Sequence, residues 1–309
     1  MSELVFHRQI NPPQEPSKPQ QLIQSLVWKM VIATLLLMAV GSATRVMNAG
    51  LACPDWPLCY GKLVPTSQMN LQVFLEWFHR LDAGLIGLSA IALVGLSWWY
   101  RQQLPRWLPW ASTFSLFLIV IQALLGGLTV TELLRFDIVT AHLGTALLFF
   151  STLVVIATML LPYQSTTTVG KLPWLGLATV IMVYLQSLLG GLVASQWALH
   201  QCFAGSQLCV VMNSHIIGVF PPTLATLTLV VMAWRTPALQ AILRKLANFA
   251  AILVILQILL GVATFRLHLQ VETLTVSHQT TGAMLLGVLV AFSVLALRDR
   301  FALSTNQLR

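Results

Sequence analysis

Charge is what this sequence has least of: Asp, Glu, Lys and Arg make up 8% of its 309 residues, against 57% hydrophobic ones. Soluble domains carry about a quarter charged residues, so so thin a polar coat excludes a water-facing surface over most of the chain. The mean hydropathy of +0.81 points instead to a chain that crosses a membrane repeatedly. Cysteine is also scarce, four residues with no C-x-x-C pair, and that removes the commonest thiolate metal spacing. The net charge of +8 does not indicate a nucleic-acid partner, because the basic residues stand singly between apolar runs and form no stripe.

The first 25 residues are polar and hold Pro12, Pro13, Pro16 and Pro19; they are too poor in apolar side chains to fold alone and read as a flexible cytoplasmic leader over 1–25. The first apolar stretch begins late and runs to spanning length without a cleavage pattern, which reads as a retained helix. Spanning takes about 20 apolar residues, and eight segments qualify, near 26–44, 75–99, 108–129, 139–161, 173–195, 213–234, 247–265 and 275–297. Of the 17 Lys and Arg, twelve fall on the side of the amino terminus and five (Arg45, Lys62, Arg80, Arg135, Arg266) on the other. The positive-inside rule then puts both termini in the cytoplasm. The expectation is an all-α integral membrane protein of the bacterial plasma membrane or an internal energy-transducing membrane. Trp28, Trp98, Trp99, Trp107, Trp110, Trp174 and Trp234 cluster at the cytoplasmic ends as an interfacial belt.

Four histidines organise the spans. His79 and His142 are 63 residues apart, His215 and His278 are again 63 apart, and the pairs are offset by 136. One unit has been used twice, giving two tandem, pseudo-symmetric four-helix bundles over 26–165 and 172–298, followed by a cytoplasmic tail over 299–309. Four helices separate the copies, so they share an orientation and are related by an axis along the membrane normal. Each histidine starts an even-numbered helix, at similar depth near the outer face. A histidine on an apolar helix is most often a packing residue, but intramembrane ionisable groups are costly and usually functional. Four in register favour ligation.

The repeat also shows in Gln122 to Thr129 (QALLGGLT), Gln257 to Thr264 (QILLGVAT) and Gln186 to Val193 (QSLLGGLV). Glycines there either let helices approach or let a flat ligand lie against backbone. Two histidines per half leave a zinc site short of ligands. Two imidazoles facing across a bundle suit a planar macrocycle, and haem iron accepts axial histidine; without C-x-x-C-H the haem is not covalently held. Haem propionates need cations, and Arg45, Arg80, Arg135 and Arg266 lie at that depth. Arg45 and Arg80 are the candidate propionate contacts, with Arg80 turned about 100° from His79; headgroup snorkelling is the competing use. His7, His200 and His268 have no repeat partners and read as surface residues.

The long outer loops hold all four cysteines, Cys53 with Cys59 and Cys202 with Cys209. In an oxidising compartment these read as two short-loop disulfides, clamps over helix ends more than redox relays. Glu76 lies three residues before His79 on the same helix face, either as an interfacial carboxylate favoured by the helix dipole or as a reactive group. Its repeat partner is Met212. The repeat keeps its histidines and drops this acid, which suggests two haem sites with different duties.

Thr44-Arg45, GLACPDWPLCYG from Gly50 to Gly61, EWFHR from Glu76 to Arg80, the LGG helix ends, and His142, His215 and His278 in order together resemble the haem A synthase family over nearly the whole chain after the leader. The resemblance implies that the carboxy-terminal half binds haem b through His215 and His278. It implies that substrate haem O occupies the amino-terminal half near His79 and His142, with Glu76 catalytic. It implies oxidation of a ring methyl to a formyl group by successive hydroxylations, with water as the oxygen source. The expected partners are a haem donor such as haem O synthase, a terminal oxidase as recipient, an unidentified electron acceptor and the lipid membrane. A di-haem electron carrier and a haem exporter or chaperone use the same ligands and stand as alternatives. A prenyl-transferring enzyme lacks its Asp-rich motif here.

Overall fold

The computed structural model describes residues 17–166, 168–194, 207–267 and 270–307. Nine α-helices are present among them: α1 (Lys18–Val46), α2 (Leu71–Trp99), α3 (Leu108–Thr131), α4 (Phe136–Met159), α5 (Leu172–Ala194), α6 (Gln207–Gly218), α7 (Phe220–Arg235), α8 (Ala241–Arg266) and α9 (Glu272–Gln307). α6 and α7 are two parts of one span, so eight stretches are long and apolar enough to cross a membrane. Inside a bilayer a helix satisfies its own backbone, and the described residues carry only one isolated β-bridge, between Cys59 and Lys62.

Local chemistry sets the helix ends. Ser17 caps α1 by accepting from the Gln20 N–H, and Pro19 occupies the first turn, where its missing donor costs nothing. Asn70 Oδ1 caps α2 at 2.9 Å from the Val73 N–H. The sixth span breaks at Val219 because Pro221 and Pro222 remove two donors and enter only at the start of α7. That break falls four residues after His215.

Within each half, consecutive helices are neighbours and the first packs on the last: α1, α2, α3 and α4 close one ring, and α5, the α6–α7 span, α8 and α9 close another. The halves meet where α9 lies on α1 and α4, and α4 on α5. α9 is the central element, with 67% of its apolar window buried. Lipid offers no hydrophobic drive for such packing, so close fit must supply it. Gly176 admits Ser293 and Gly287 admits Phe150, and a Cβ on either glycine would overlap its neighbour.

The structure differs from the sequence reading at both ends of the chain. α1 begins at Lys18 and buries Ile23 fully, so the last part of the expected leader is helix. α9 runs to Gln307, through most of the expected tail. The second extension has a clear cause. Arg298 donates to the carbonyls of Thr158 (2.9 Å) and Leu161 (3.0 Å). Buried Asp299 accepts from the Thr166 N–H (2.7 Å) and the Tyr163 hydroxyl (3.3 Å), and Arg300 donates to the Gly170 carbonyl (2.9 Å). These residues, which look like positive-inside charges and a stray acid, tie the end of α9 to the linker between the halves. Hydrophobicity has no means of showing that docking.

Candidate functional site

Each of the four histidines is seated against a glycine of the preceding helix. A Cβ built on Gly41 would lie 2.8 Å from His79 Cε1, on Gly126 3.3 Å from His142 Cε1, on Gly190 3.0 Å from His215 Cε1, and on Gly261 2.9 Å from His278 Cε1. The glycines of the LGG ends therefore make room for imidazole rings, which is more specific than general helix packing. Gly41 was not singled out by the sequence. The signal that finds it is the register: Gly126, Gly190 and Gly261 each follow a glutamine by four residues, and Gly41 follows Leu37 by the same spacing.

At His278 the carbonyl four residues before the notch glycine faces the ring. Gln257 O accepts from His278 Nδ1 at 3.1 Å, which assigns the Nδ1–H tautomer to His278 and leaves Nε2 as the acceptor nitrogen. Gln257 Nε2 sits 3.3 Å from that Nε2. At His215, the Gln186 amide lies 2.9 Å from Nδ1 and donates to the His215 carbonyl at 2.7 Å. In the amino-terminal half Nδ1 of both His79 and His142 is buried without a hydrogen-bond partner.

The rings of His215 and His278 have centroids 6.5 Å apart and planes at 87°. Two metal–nitrogen bonds of about 2 Å plus the half-widths of two imidazoles also sum to about 6 Å, so His215 and His278 are the residues that would hold one iron between them. Among the described residues no group of three or more His, Cys, Asp or Glu could hold a bare metal ion. A donor set of two imidazoles suits an iron whose other ligands come with a macrocycle.

Each half carries a cavity, of about 480 Å³ in the carboxy-terminal half and about 490 Å³ in the amino-terminal half, within the range of cofactor pockets. His215, His278 and Met212 line the first; His79, His142 and Glu76 line the second. Glu76 and Met212, paired by the repeat, thus occupy corresponding walls. Met38, Arg45, Leu143 and Gln279 line both cavities, so a single layer of side chains separates them.

Glu76 is only 4% exposed and both its oxygens are engaged. One pairs with Arg80 Nη2, and Oε2 accepts from the Cys53 N–H at 2.8 Å. Arg80 also donates to the carbonyls of Asp55 and Leu58 through Nη1 and of Cys53 through Nη2. Four of its five N–H groups are therefore spent. Arg80 clamps the cysteine loop and also lines the amino-terminal cavity. Arg135 is likewise occupied, by Asp137 and Glu132. Arg266 lines the carboxy-terminal cavity.

The clamped loop covers the amino-terminal cavity. Cys53 and Cys59 form a disulfide with their Cα atoms 4.8 Å apart. The Asp55 carboxylate accepts from the Gly61 (2.7 Å) and Tyr60 (2.6 Å) N–H groups, which hold Tyr60 and Gly61 at positive φ. Those bonds, first Gly61 and then Tyr60, keep the Asp55 carboxyl below the usual carboxylate range. Trp56 lies on Gly127 of α3, its ring 3.3 Å from the position of a Cβ there, and lines the cavity with Pro57. Cys209 is also disulfide-bonded. Its expected partner Cys202, like His7, His200 and His268, lies outside the described residues.

The profile of the cytochrome oxidase assembly proteins (COX15-CtaA) matches residues 24–290. The chain belongs to that family. Among curated relatives, the heme A synthase of Shewanella oneidensis is 28% identical over 87% of this chain and 96% of its own length. Those of Caulobacter vibrioides (29%, over 86% and 94%) and Shouchella clausii (25%, over 87% and 95%) span similar shares. The family match runs through all eight spans, from within α1 to within α9, and so includes both histidine pairs and the cysteine loop.

Proposed function

We propose that this membrane protein is a haem A synthase, an oxidoreductase that converts the methyl group of haem O to the formyl group of haem A for haem-copper terminal oxidases. The observation that carries the reading is the asymmetry of two otherwise matched cavities: both have a notched histidine pair, and among the described residues only the amino-terminal one has an acid, Glu76 opposite Met212. The family and the names of its relatives support the same assignment.

In this reading His215 and His278 hold haem b, which supplies one-electron chemistry when bound. His79 and His142 hold haem O, with Gly41 and Gly126 fixing the two rings. Conversion of R–CH3 and water to R–CHO releases four protons and four electrons, so the cavity needs a route for both. Glu76 stabilises the positive charge that develops at the reacting carbon and takes up protons. Arg80 counters its charge and fixes its direction, and Trp56 and Pro57 limit bulk water above it. Arg45 receives a propionate. The electrons pass to an acceptor still to be identified, haem O arrives from haem O synthase or another donor, and both termini face the cytoplasm. The two bundles over 26–165 and 172–298 serve substrate and cofactor respectively.

Expression with a haem O source, followed by analysis of extracted haems, tests this. Haem A must appear. An electron carrier or a haem exporter would return haem O unchanged, and that result ends the proposal.

A further inference from the structure

Among the described residues Arg45 is the only Lys or Arg that lines both cavities. Its Nε is buried without a partner, and no hydrogen bond or ion pair engages its guanidinium among the described residues. A guanidinium that faces two apolar cavities with its Nε buried favours an anion beside it. Among the described residues the only acid lining either cavity is Glu76, already held by Arg80 and the Cys53 N–H. The anion must therefore come with what the cavities bind. The repeat sharpens this. Arg45 follows the notch glycine Gly41 by four residues, whereas the residue four after Gly190 is Ala194, which lines the carboxy-terminal cavity. Arg80 lines only the amino-terminal cavity and Arg266 only the carboxy-terminal one, so Arg45 is the cation the two equivalent sites share.

We propose that Arg45 couples the two cavities, because carboxylate-bearing tetrapyrroles in each compete for its single guanidinium. This rests on the reading of both cavities as haem sites. With the amino-terminal cavity empty, Arg45 turns to the haem held by His215 and His278, and the nearby positive charge favours the ferrous state. A carboxylate entering the amino-terminal cavity draws the guanidinium away and lowers that haem's reduction potential. Linkage makes the effect reciprocal: the ligand binds more tightly to the ferric protein and is released more readily on reduction. A membrane enzyme of this kind would load its substrate in one redox state and discharge product in the other.

The test uses the full-length protein in detergent with its resident haem. Its potential is titrated spectroelectrochemically with and without zinc protoporphyrin, a redox-inactive probe for the amino-terminal cavity whose fluorescence quenching reports binding. The expected result is a fall of about tenfold in the reduction equilibrium constant on probe binding, about 59 mV for a one-electron couple. The dimethyl ester of the same porphyrin should give no shift. Arg45→Gln should start at the lower potential and show no shift, and Arg45→Lys should keep part of it. Bound diacid porphyrin without a shift, or equal shifts in wild type and Arg45→Gln, overturns the coupling. The wild-type comparison of diacid and ester needs no variant to fold. Absence of a bis-histidine haem spectrum, or failure of the diacid to bind, overturns the underlying haem reading instead.

Discussion

The Cys53 N–H donates to Glu76 Oε2 at 2.8 Å, so the carboxylate proposed to do chemistry is also the peg from which the disulfide loop hangs. Arg80 completes the joint by holding the other oxygen of Glu76 and three loop carbonyls. Oxidation state, loop position and the charge in the cavity are therefore mechanically linked. Substitutions in this joint must be read with a control for loop order.

Breaking the disulfide should loosen the loop and spare the rest. For a ring this short the chain-entropy contribution is roughly 2 kcal/mol. Cys53→Ser is expected to expose residues 47–70 to protease from the loop side while the haem spectrum owed to His215 and His278 stays unchanged. Loss of that spectrum in the same variant would show that the two halves do not fold independently around their sites.

Asp55 predicts a pH dependence for the same loop. Its folded pKa lies below the unfolded value of about 3.9. The carboxylate's contribution to loop order is therefore fully present above about pH 4, and is lost as pH falls through the folded value. Hydrogen exchange at the Tyr60 and Gly61 amides should accelerate in that acid window. Asp55→Asn should exchange faster at neutral pH and lose the acid transition.

The spans were legible because a bilayer demands about 20 apolar residues in a row, and the grouping of the histidines in two cavities because the repeat keeps their spacing in register. The break at Val219 was less visible, since Pro221 and Pro222 lie inside an apolar run that still has spanning length. The clamp by Arg80 was hidden for another reason: its acceptors are backbone carbonyls, which carry no sequence signature. The notches at Gly41, Gly126, Gly190 and Gly261 were half visible. Small residues at helix ends were evident, but their partners on the next helix depend on a rotation that spacing alone leaves free.

Those notches can be tested in sequence order of tightness. Gly261→Ala places a Cβ 2.9 Å from His278 Cε1 and Gly41→Ala places one 2.8 Å from His79 Cε1, distances that force the ring to move, and overpacking of this kind costs about 1–3 kcal/mol. Gly261→Ala should disturb the low-spin haem spectrum, and Gly41→Ala should leave it intact while lowering haem A formation. Gly126→Ala, with 3.3 Å to His142 Cε1, should be milder than Gly41→Ala. Optical and EPR spectra with haem extraction check all three, and a Gly41→Ala protein that lost the haem b signal would contradict the division of labour.

Glu76→Gln separates the chemical role of this residue from its role as a peg. The amide keeps the shape and an oxygen that can still accept from the Cys53 N–H, so the loop retains that anchor, while the charge and the base are gone. Removing one member of a buried ion pair costs about 3–5 kcal/mol when the other is left unsatisfied. Arg80 still keeps its three carbonyl acceptors, and it is 15% exposed at the side chain, so the penalty should fall well below that range. The variant is expected to keep haem b and a protease-resistant loop yet accumulate haem O or a partly oxidised product. Arg80→Gln supplies the opposite case: Glu76 keeps its charge, the loop loses its clamp, and protease sensitivity should rise. If Glu76→Gln forms haem A at the wild-type rate with its loop ordered, the carboxylate is structural and the acid–base assignment falls. If it loses activity only together with loop order, as Arg80→Gln does, the peg accounts for the defect and the chemistry belongs to another group in the cavity.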